Sequence, residues 1–304
     1  MEGFLSIKEA IEKYIAGCQA KVEMSKENRM AKSVLAGALI GMGAAASSVA
    51  AHTITDVGVA RLAAALVFPV GLMMVILLGA ELFTGDCLMA MSVSDGKQSL
   101  KEIIHVLVSV YLGNFIGAAM VAVLIVASGQ LNYSGGMLGA YTIKVAMGKI
   151  NISFVEGVTS GLLCNVLVCA AVLMAICAKD VTGKLIAIFF TIMLFVTAGF
   201  EHCVANMYYI TAGLLAKWNP NYVTLAMEQY GYGLEQMQEL NLYHFLITNL
   251  VPVTIGNILG GIVFLGLPLY YMNVRKAEHR DHNTHKEDMK NDYICTTDVA
   301  GIAH

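Results

Sequence analysis

The sequence predicts an all-α membrane protein, with six transmembrane helices in a 3+3 inverted repeat and helices two and five broken inside the bilayer. Three observations carry this prediction. The 304 residues are 57% hydrophobic and 13% charged, with a mean hydropathy of +0.67, too apolar for a chain that must keep a soluble surface wet. Six runs reach the roughly 20 apolar residues that cross a bilayer. Two polar interruptions, residues Gly79 to Asp86 (GAELFTGD) and Gly199 to Asn206 (GFEHCVAN), open with the same Gly-x-Glu 120 positions apart.

Residues 1–32 come first and precede the membrane. Ile7, Ile11, Ile15 and Ala16 recur at helical spacing with Lys and Glu opposite, which predicts an amphipathic cytoplasmic helix lying at the membrane surface without a gating role. The segment lacks an apolar core followed by a small-residue cleavage site, so the first span is expected to act as the insertion signal. The membrane-spanning region is read as 33–274, with spans at about Ser33–Ala51, Leu62–Ala80, Ile103–Ser128, Phe154–Ala178, Leu185–Phe200 continuing to Ala216, and Leu246–Tyr271. Residues 275–304 read as a disordered cytoplasmic tail, in which His279, His282 and His285 are solvated rather than metal ligands.

Orientation follows from the basic residues. Of 19 Lys and Arg, fifteen fall in the two termini and in the loops after spans two and four, and only Arg61, Lys144, Lys149 and Lys217 fall elsewhere. The positive-inside rule therefore puts both termini in the cytoplasm. Cys87, Cys164, Cys169, Cys177 and Cys203 sit in or beside spans, where cysteine acts as a small hydrophobe, and no disulfide framework is expected.

The repeat shows in three matched pairs. Gly37-x-x-x-Gly41 in span one answers Gly157-x-x-x-Gly161 in span four, the two Gly-x-Glu breaks answer each other, and Gly113-Asn114-x-x-Gly117 in span three answers Gly256-Asn257-x-x-Gly260 in span six. Small residues four apart let helices approach closely. Three spans per copy is an odd number, so the second copy must be inverted, and in such architectures the transport path lies where broken helices meet near the midplane.

A span breaks inside a bilayer only where its freed backbone groups are buried in protein or line a wet cavity. Glu81 and Glu201 occupy equivalent places and are read as structural, accepting backbone N–H groups at the breaks, and Gly85 and Gly199 are read as structural there too. His202 is different, because its repeat counterpart is Leu82. A lone membrane histidine often only bonds between helices, but one placed in the break can offer a proton or a positive field to an anion. Thr84, in the other break, can donate to the same solute.

The residues Leu78 to Asp86 (LGAELFTGD), Gly199 to Met207 (GFEHCVANM) and Asn249 to Gly261 (NLVPVTIGNILGG) resemble the signatures of the formate/nitrite transporter family, over about residues 1–274. The resemblance implies a homopentamer of aquaporin-like protomers in the inner or plasma membrane, each with its own pore for formate, nitrite or hydrosulfide. It implies a central histidine at His202, the loop threonine at Thr84, a span-four asparagine at Asn165, an outer-vestibule lysine at Lys149 that concentrates the anion, and an asparagine at Asn206. It also implies an inner constriction at Phe68, Leu72 and Phe195, an outer one at Phe83 with Val168, and Leu82 bordering the centre. Gly85-Asp86-Cys87 is where this chain varies. An apolar constriction passes a neutral acid far more easily than a bare anion, so the expected transport is proton-linked through His202. No cofactor, covalent chemistry or nucleic-acid partner is expected. The alternatives are a neutral-solute pore, which lacks paired Asn-Pro-Ala breaks here, and a haem-binding redox subunit using His52 and His105, which have no facing partner at a fixed spacing.

Overall fold

The computed structural model describes residues 3–275, so His279, His282 and His285 and most of the expected tail lie outside the described residues. The first helix, α1 (Ile7–Glu23), is started by a capping box in which Ser6 and Glu9 satisfy each other's backbone N–H groups. Its apolar face does not lie on lipid. Ala10, Ile11, Tyr14, Ile15 and Cys18 are buried in the protein, chiefly against α9, and the Tyr14 hydroxyl donates to Gly85 O at 3.2 Å. The expected surface-lying helix is thus a lid over the body, because tyrosine and cysteine complete the apolar stripe that Ile7 and Ala16 leave at its edge.

The chain continues through α2 (Lys26–Ala51), α3 (Val57–Val67) and α4 (Pro69–Leu77), then α5 (Phe83–Asp86), α6 (Ala90–Ser94) and α7 (Leu100–Ala127). Next come α8 (Met137–Ile150), α9 (Phe154–Cys177), α10 (Val181–Ala198), α11 (Cys203–Ala216), α12 (Pro220–Tyr230) and α13 (Leu234–Glu239). The last span, His244–Arg275, contains α14 (Val251–Leu259) between π-helical turns. Six helices of the described residues are long and apolar enough to cross a membrane: Lys26–Ala51, Val57–Leu77, Leu100–Ala127, Phe154–Cys177, Val181–Ala198 and His244–Arg275. Ser99 with Glu102 and Ser153 with Glu156 cap α7 and α9 as Ser6 and Glu9 cap α1.

Packing follows the small residues. A Cβ on Gly117 would stand 1.9 Å from Val34 O, so α2 and α7 touch backbone to backbone. The outward surface is apolar instead, with Ile104, Val108, Leu112, Ile116 and Met120 exposed at every fourth position of α7. That stripe suits lipid or a neighbouring apolar protein surface and not water.

α8, α12 and α13 are absent from the span reading, being too short or too polar to cross a bilayer. α8 nonetheless buries Leu138, Thr142, Ala146 and Ile150 on one face, a helical period legible in the sequence. It packs beside α11 and carries Lys149 to the second break.

Candidate functional site

The two breaks share one construction. At the first, α4 ends at Leu77, Gly79 turns at φ +66°, Leu82 is extended, and α5 starts at Phe83. The freed backbone groups converge on one buried side chain. Asn114 of α7 accepts from Phe83 N–H at 2.9 Å and donates to Glu81 O at 2.9 Å and Ser33 O at 2.8 Å. At the second, α10 ends at Ala198, Gly199 turns at φ +75°, His202 is extended, and α11 starts at Cys203. There Asn257 of α14 accepts from Cys203 N–H at 2.9 Å and donates to Glu201 O at 3.0 Å and Gly161 O at 2.7 Å.

The expectation that Glu81 and Glu201 pin the breaks through backbone N–H groups gives way to this arrangement. An amide both donates and accepts, whereas a carboxylate only accepts, so asparagine serves a break that frees both kinds of group. The two carboxylates take lysines instead. Lys21 of α1 bridges Glu81 and also Asp86, the latter at 2.7 Å. Lys149 of α8 bridges Glu201 at 2.6 Å, and the other Glu201 oxygen accepts from Asn206 at 2.7 Å. Asn206 also donates to Asn249, whose own amide returns to Lys149 O. Burial alone would pull the Lys21 ammonium down, but Asp86 and Glu81 outweigh it and hold it above its ordinary value.

Between the breaks, Thr84 Oγ1 and His202 Nε2 lie 3.0 Å apart, both buried. His202 also caps α11, its Nδ1 accepting from Ala205 N–H at 3.1 Å. An Nδ1 that accepts leaves the ring proton on Nε2, so His202 donates to Thr84 Oγ1 and the threonine proton is free for a solute. The Thr84 carbonyl is fixed from behind by Asn165 Nδ2 at 3.1 Å and Cys169 Sγ at 3.3 Å.

Two cavities approach this pair from opposite ends of α2. One, of about 350 Å³, is lined by Ser47, Arg61, Lys144, Lys149, Glu201 and His202. The other, of about 410 Å³, lies under α1 and is lined by Lys21, Lys32, Glu81, Leu82, Asp86 and Lys184. Lys32 and Ser47 are separated by about 22 Å of helix at 1.5 Å per residue. Phe68 and Phe195 border the first cavity and Leu72 borders the second, so a barrier about one helical turn thick, roughly 6 Å, separates them along the second span.

The constriction residues are therefore redistributed. Phe68 and Phe195, which meet edge-on with centroids 5.7 Å apart, belong to the Lys149 side. The expectation set Phe68, Leu72 and Phe195 together on the side away from Lys149; the structure parts them, because Phe68 lies a turn earlier than Leu72 on a helix running toward α1. Leu82 lines the α1-side cavity. Phe83 lines neither: its ring packs on Tyr111 at 4.9 Å and faces an apolar groove with Ile104, Val108 and Ile258. Leu82 and Phe83 thus face different spaces, the α1-side cavity and the apolar groove. Val168 is buried on α9 one turn beyond Asn165, and the Phe195 ring stacks near His202 at 6.1 Å. His52 has both ring nitrogens engaged, by Val49 O and Ser134 Oγ, and His105 is exposed, which leaves the haem alternative without a ligand pair.

The sequence matches the formate/nitrite transporter family over residues 8–271. The chain belongs to this family. It is 38% identical over 217 residues to the formate channel FocA of Haemophilus influenzae, covering 71% of this chain and 75% of that protein. It is 32% identical over 281 residues to a probable formate transporter of Methanothermobacter thermautotrophicus, covering 85% and 95%. Among solved structures, a pentameric formate channel with formate bound superposes with a TM-score of 0.72 at 31% identity, covering 81% of this chain and 97% of that one. Formate/nitrite transporters are multi-pass membrane channels and not enzymes, and so is this protein.

Within this family member, sequence reading missed Asn114, Asn257, Lys21 and Asn249. The Gly-Asn-x-x-Gly pairs were legible as packing motifs. The signal that they do more is the asparagine itself, a polar side chain in a span that must find partners.

Proposed function

We propose that the protein is a channel for small monovalent weak-acid anions, formate first, with nitrite and hydrosulfide as further substrates. The observation that carries this is the Thr84–His202 pair, a hydroxyl proton offered to a solute at a thin apolar barrier between two lysine-lined cavities. Relatives named formate channels support the substrate. The cation-rich cavity walls favour an anion over the neutral solute of the alternative pore.

The anion collects in a vestibule, receives the Thr84 hydrogen bond, and takes a proton relayed through His202, crossing the Phe and Leu barrier as the neutral acid. The cap sets a condition on this relay. For His202 to pass its Nε2 proton through Thr84 without becoming an imidazolate, Nδ1 must first be protonated, and that breaks the bond from Ala205. The same cap favours a second reading, in which His202 stays neutral and only polarises the threonine.

The architecture follows the same reading. The matched bonds of Asn114 and Asn257, the two turning glycines and the two carboxylate–lysine pairs support two inverted three-span copies. The contact in the first pair is offset by a turn, since Gly37 meets Asn114 whereas Gly161 meets Asn257. The assembly is a homopentamer in the cell membrane, with both termini and the α1 lid on the cytoplasmic side. Uptake of formate, nitrite and hydrosulfide into proteoliposomes, measured in parallel, tests the assignment. Formate is expected to enter fastest, and exclusion of all three would overturn it.

A further inference from the structure

Three cations line the cavity on the Lys149 side, and their surroundings differ. Lys149, expected to concentrate the anion, is paired with Glu201 at 2.6 Å. Lys144 sits over the Tyr230 ring at 4.8 Å and the Tyr141 ring at 5.4 Å, so aromatic faces already stabilise its charge. Arg61 has no carboxylate within ion-pair distance among the described residues.

Its seat is specific. Arg61 Nη1 donates to Ala198 O at 3.1 Å, at the C-terminus of α10. Gly199 makes room for it, because a Cβ there would stand 2.1 Å from Nη1. The C-terminus of a helix carries about half a negative charge, the wrong sign beside an anion path, and the guanidinium reverses it. Only one of its five N–H groups is engaged by Ala198. The others form a planar fork that matches two oxygens held by one atom.

We propose that Arg61, anchored on the end of α10 at the cavity mouth, is an entry anion subsite that selects planar two-oxygen anions, formate and nitrite, over a single-centre anion such as hydrosulfide. This rests on the anion-channel reading above. The α1-side cavity has Lys184, from the second turn of α10, near Gly79 and Glu81, a point charge without a fork. Selection by geometry is thereby assigned to one mouth.

The test is the concentration dependence of initial formate and hydrosulfide uptake in proteoliposomes of the full-length protein, for wild type, Arg61→Gln and Arg61→Lys. Arg61→Gln is expected to raise the half-saturating formate concentration roughly tenfold, the worth of one charge-assisted hydrogen bond, and to shift hydrosulfide much less. Arg61→Lys keeps the charge and the bond to Ala198 but not the fork, so it should restore hydrosulfide behaviour while leaving formate weakened. A purely structural cap predicts instead that Lys rescues both anions and that Gln lowers both maximal rates alike. That result, or equal shifts for the two anions, overturns the proposal. Wild-type formate uptake with an unchanged Arg61→Gln curve removes this inference alone, and a wild type that carries neither formate nor nitrite removes the channel assignment with it.

Discussion

The two breaks solve one problem with different charge. Each frees backbone groups in the protein interior, and each returns them to a single asparagine on a neighbouring long apolar helix. Around that shared core the first break sets two carboxylates, Glu81 and Asp86, against one lysine from the α1 lid. The second sets one carboxylate, Glu201, against Lys149, and at the position matching Asp86 it has the neutral Asn206. Asp86 Oδ2 and Asn206 Oδ1 are each buried without a protein partner, so the matching position is under-bonded at both breaks, but only the first has an ionisable group there. The backbone problem is common to both breaks and its solution is common. The charge is local, and it ties the first break to α1.

The largest effect should come from the shared core. Asn257→Ala leaves Cys203 N–H and Glu201 O without their partner, at about 1–3 kcal/mol for each buried unpaired group. Asn114→Ala should cost a similar amount, and thermal unfolding of the purified assembly is expected to show large and comparable losses for both. A tolerant Asn114→Ala beside a failed Asn257→Ala would break the equivalence of the two halves.

The lysines should differ next. Removing one partner of a buried pair costs about 3–5 kcal/mol, and the partly exposed lysines place both variants toward the low end. Lys21→Gln leaves two facing carboxylates, whereas Lys149→Gln leaves Glu201 still bonded to Asn206. The Lys21 variant should therefore unfold at the lower temperature, and the reverse order would contradict the charge comparison.

Thr84→Val removes the hydroxyl at the barrier while keeping the shape. Formate uptake should fall roughly ten- to a hundredfold, as expected for a hydrogen bond to a charged group, and Thr84→Ser should retain most of it. The smallest effect is the sharpest for the comparison. Asp86→Asn gives the first break the amide of the second, so Lys21→Gln should cost about 1 kcal/mol less in that background by a double-mutant cycle. Additive costs would mean that Asp86 and Lys21 do not form the working pair.

Composition made the membrane class legible and the six apolar runs the number of spans, while the interruptions at 79–86 and 199–206 pointed to Thr84 and His202, because a polar, glycine-bearing break in an apolar run has few physical explanations. What stayed hidden depends on contacts far apart in sequence. Phe83 N–H and Asn114 are 31 residues apart, and Lys21 and Glu81 are 60 apart. No local period announces such pairs. Lys149 was legible as a basic residue near the path, but its neutralisation by Glu201 was not, since α8 is too short to register as a span. The parting of Phe68 and Phe195 from Leu72 stayed hidden because a residue list carries no depth, whereas a rise of 1.5 Å per residue on a located helix does. Phe83, placed in the constriction by the resemblance, packs on Tyr111 in the apolar groove instead, a contact 28 residues away that the local sequence does not announce.

The central claim is that a proton reaches the anion through His202. Asparagine can replace the histidine as a cap for α11, but it cannot carry a proton. Formate uptake into proteoliposomes containing an internal pH dye should acidify the lumen in step with uptake for the wild type, and His202→Asn should abolish that proton-coupled entry. Undiminished formate uptake by His202→Asn, with the same dye response, would contradict the account.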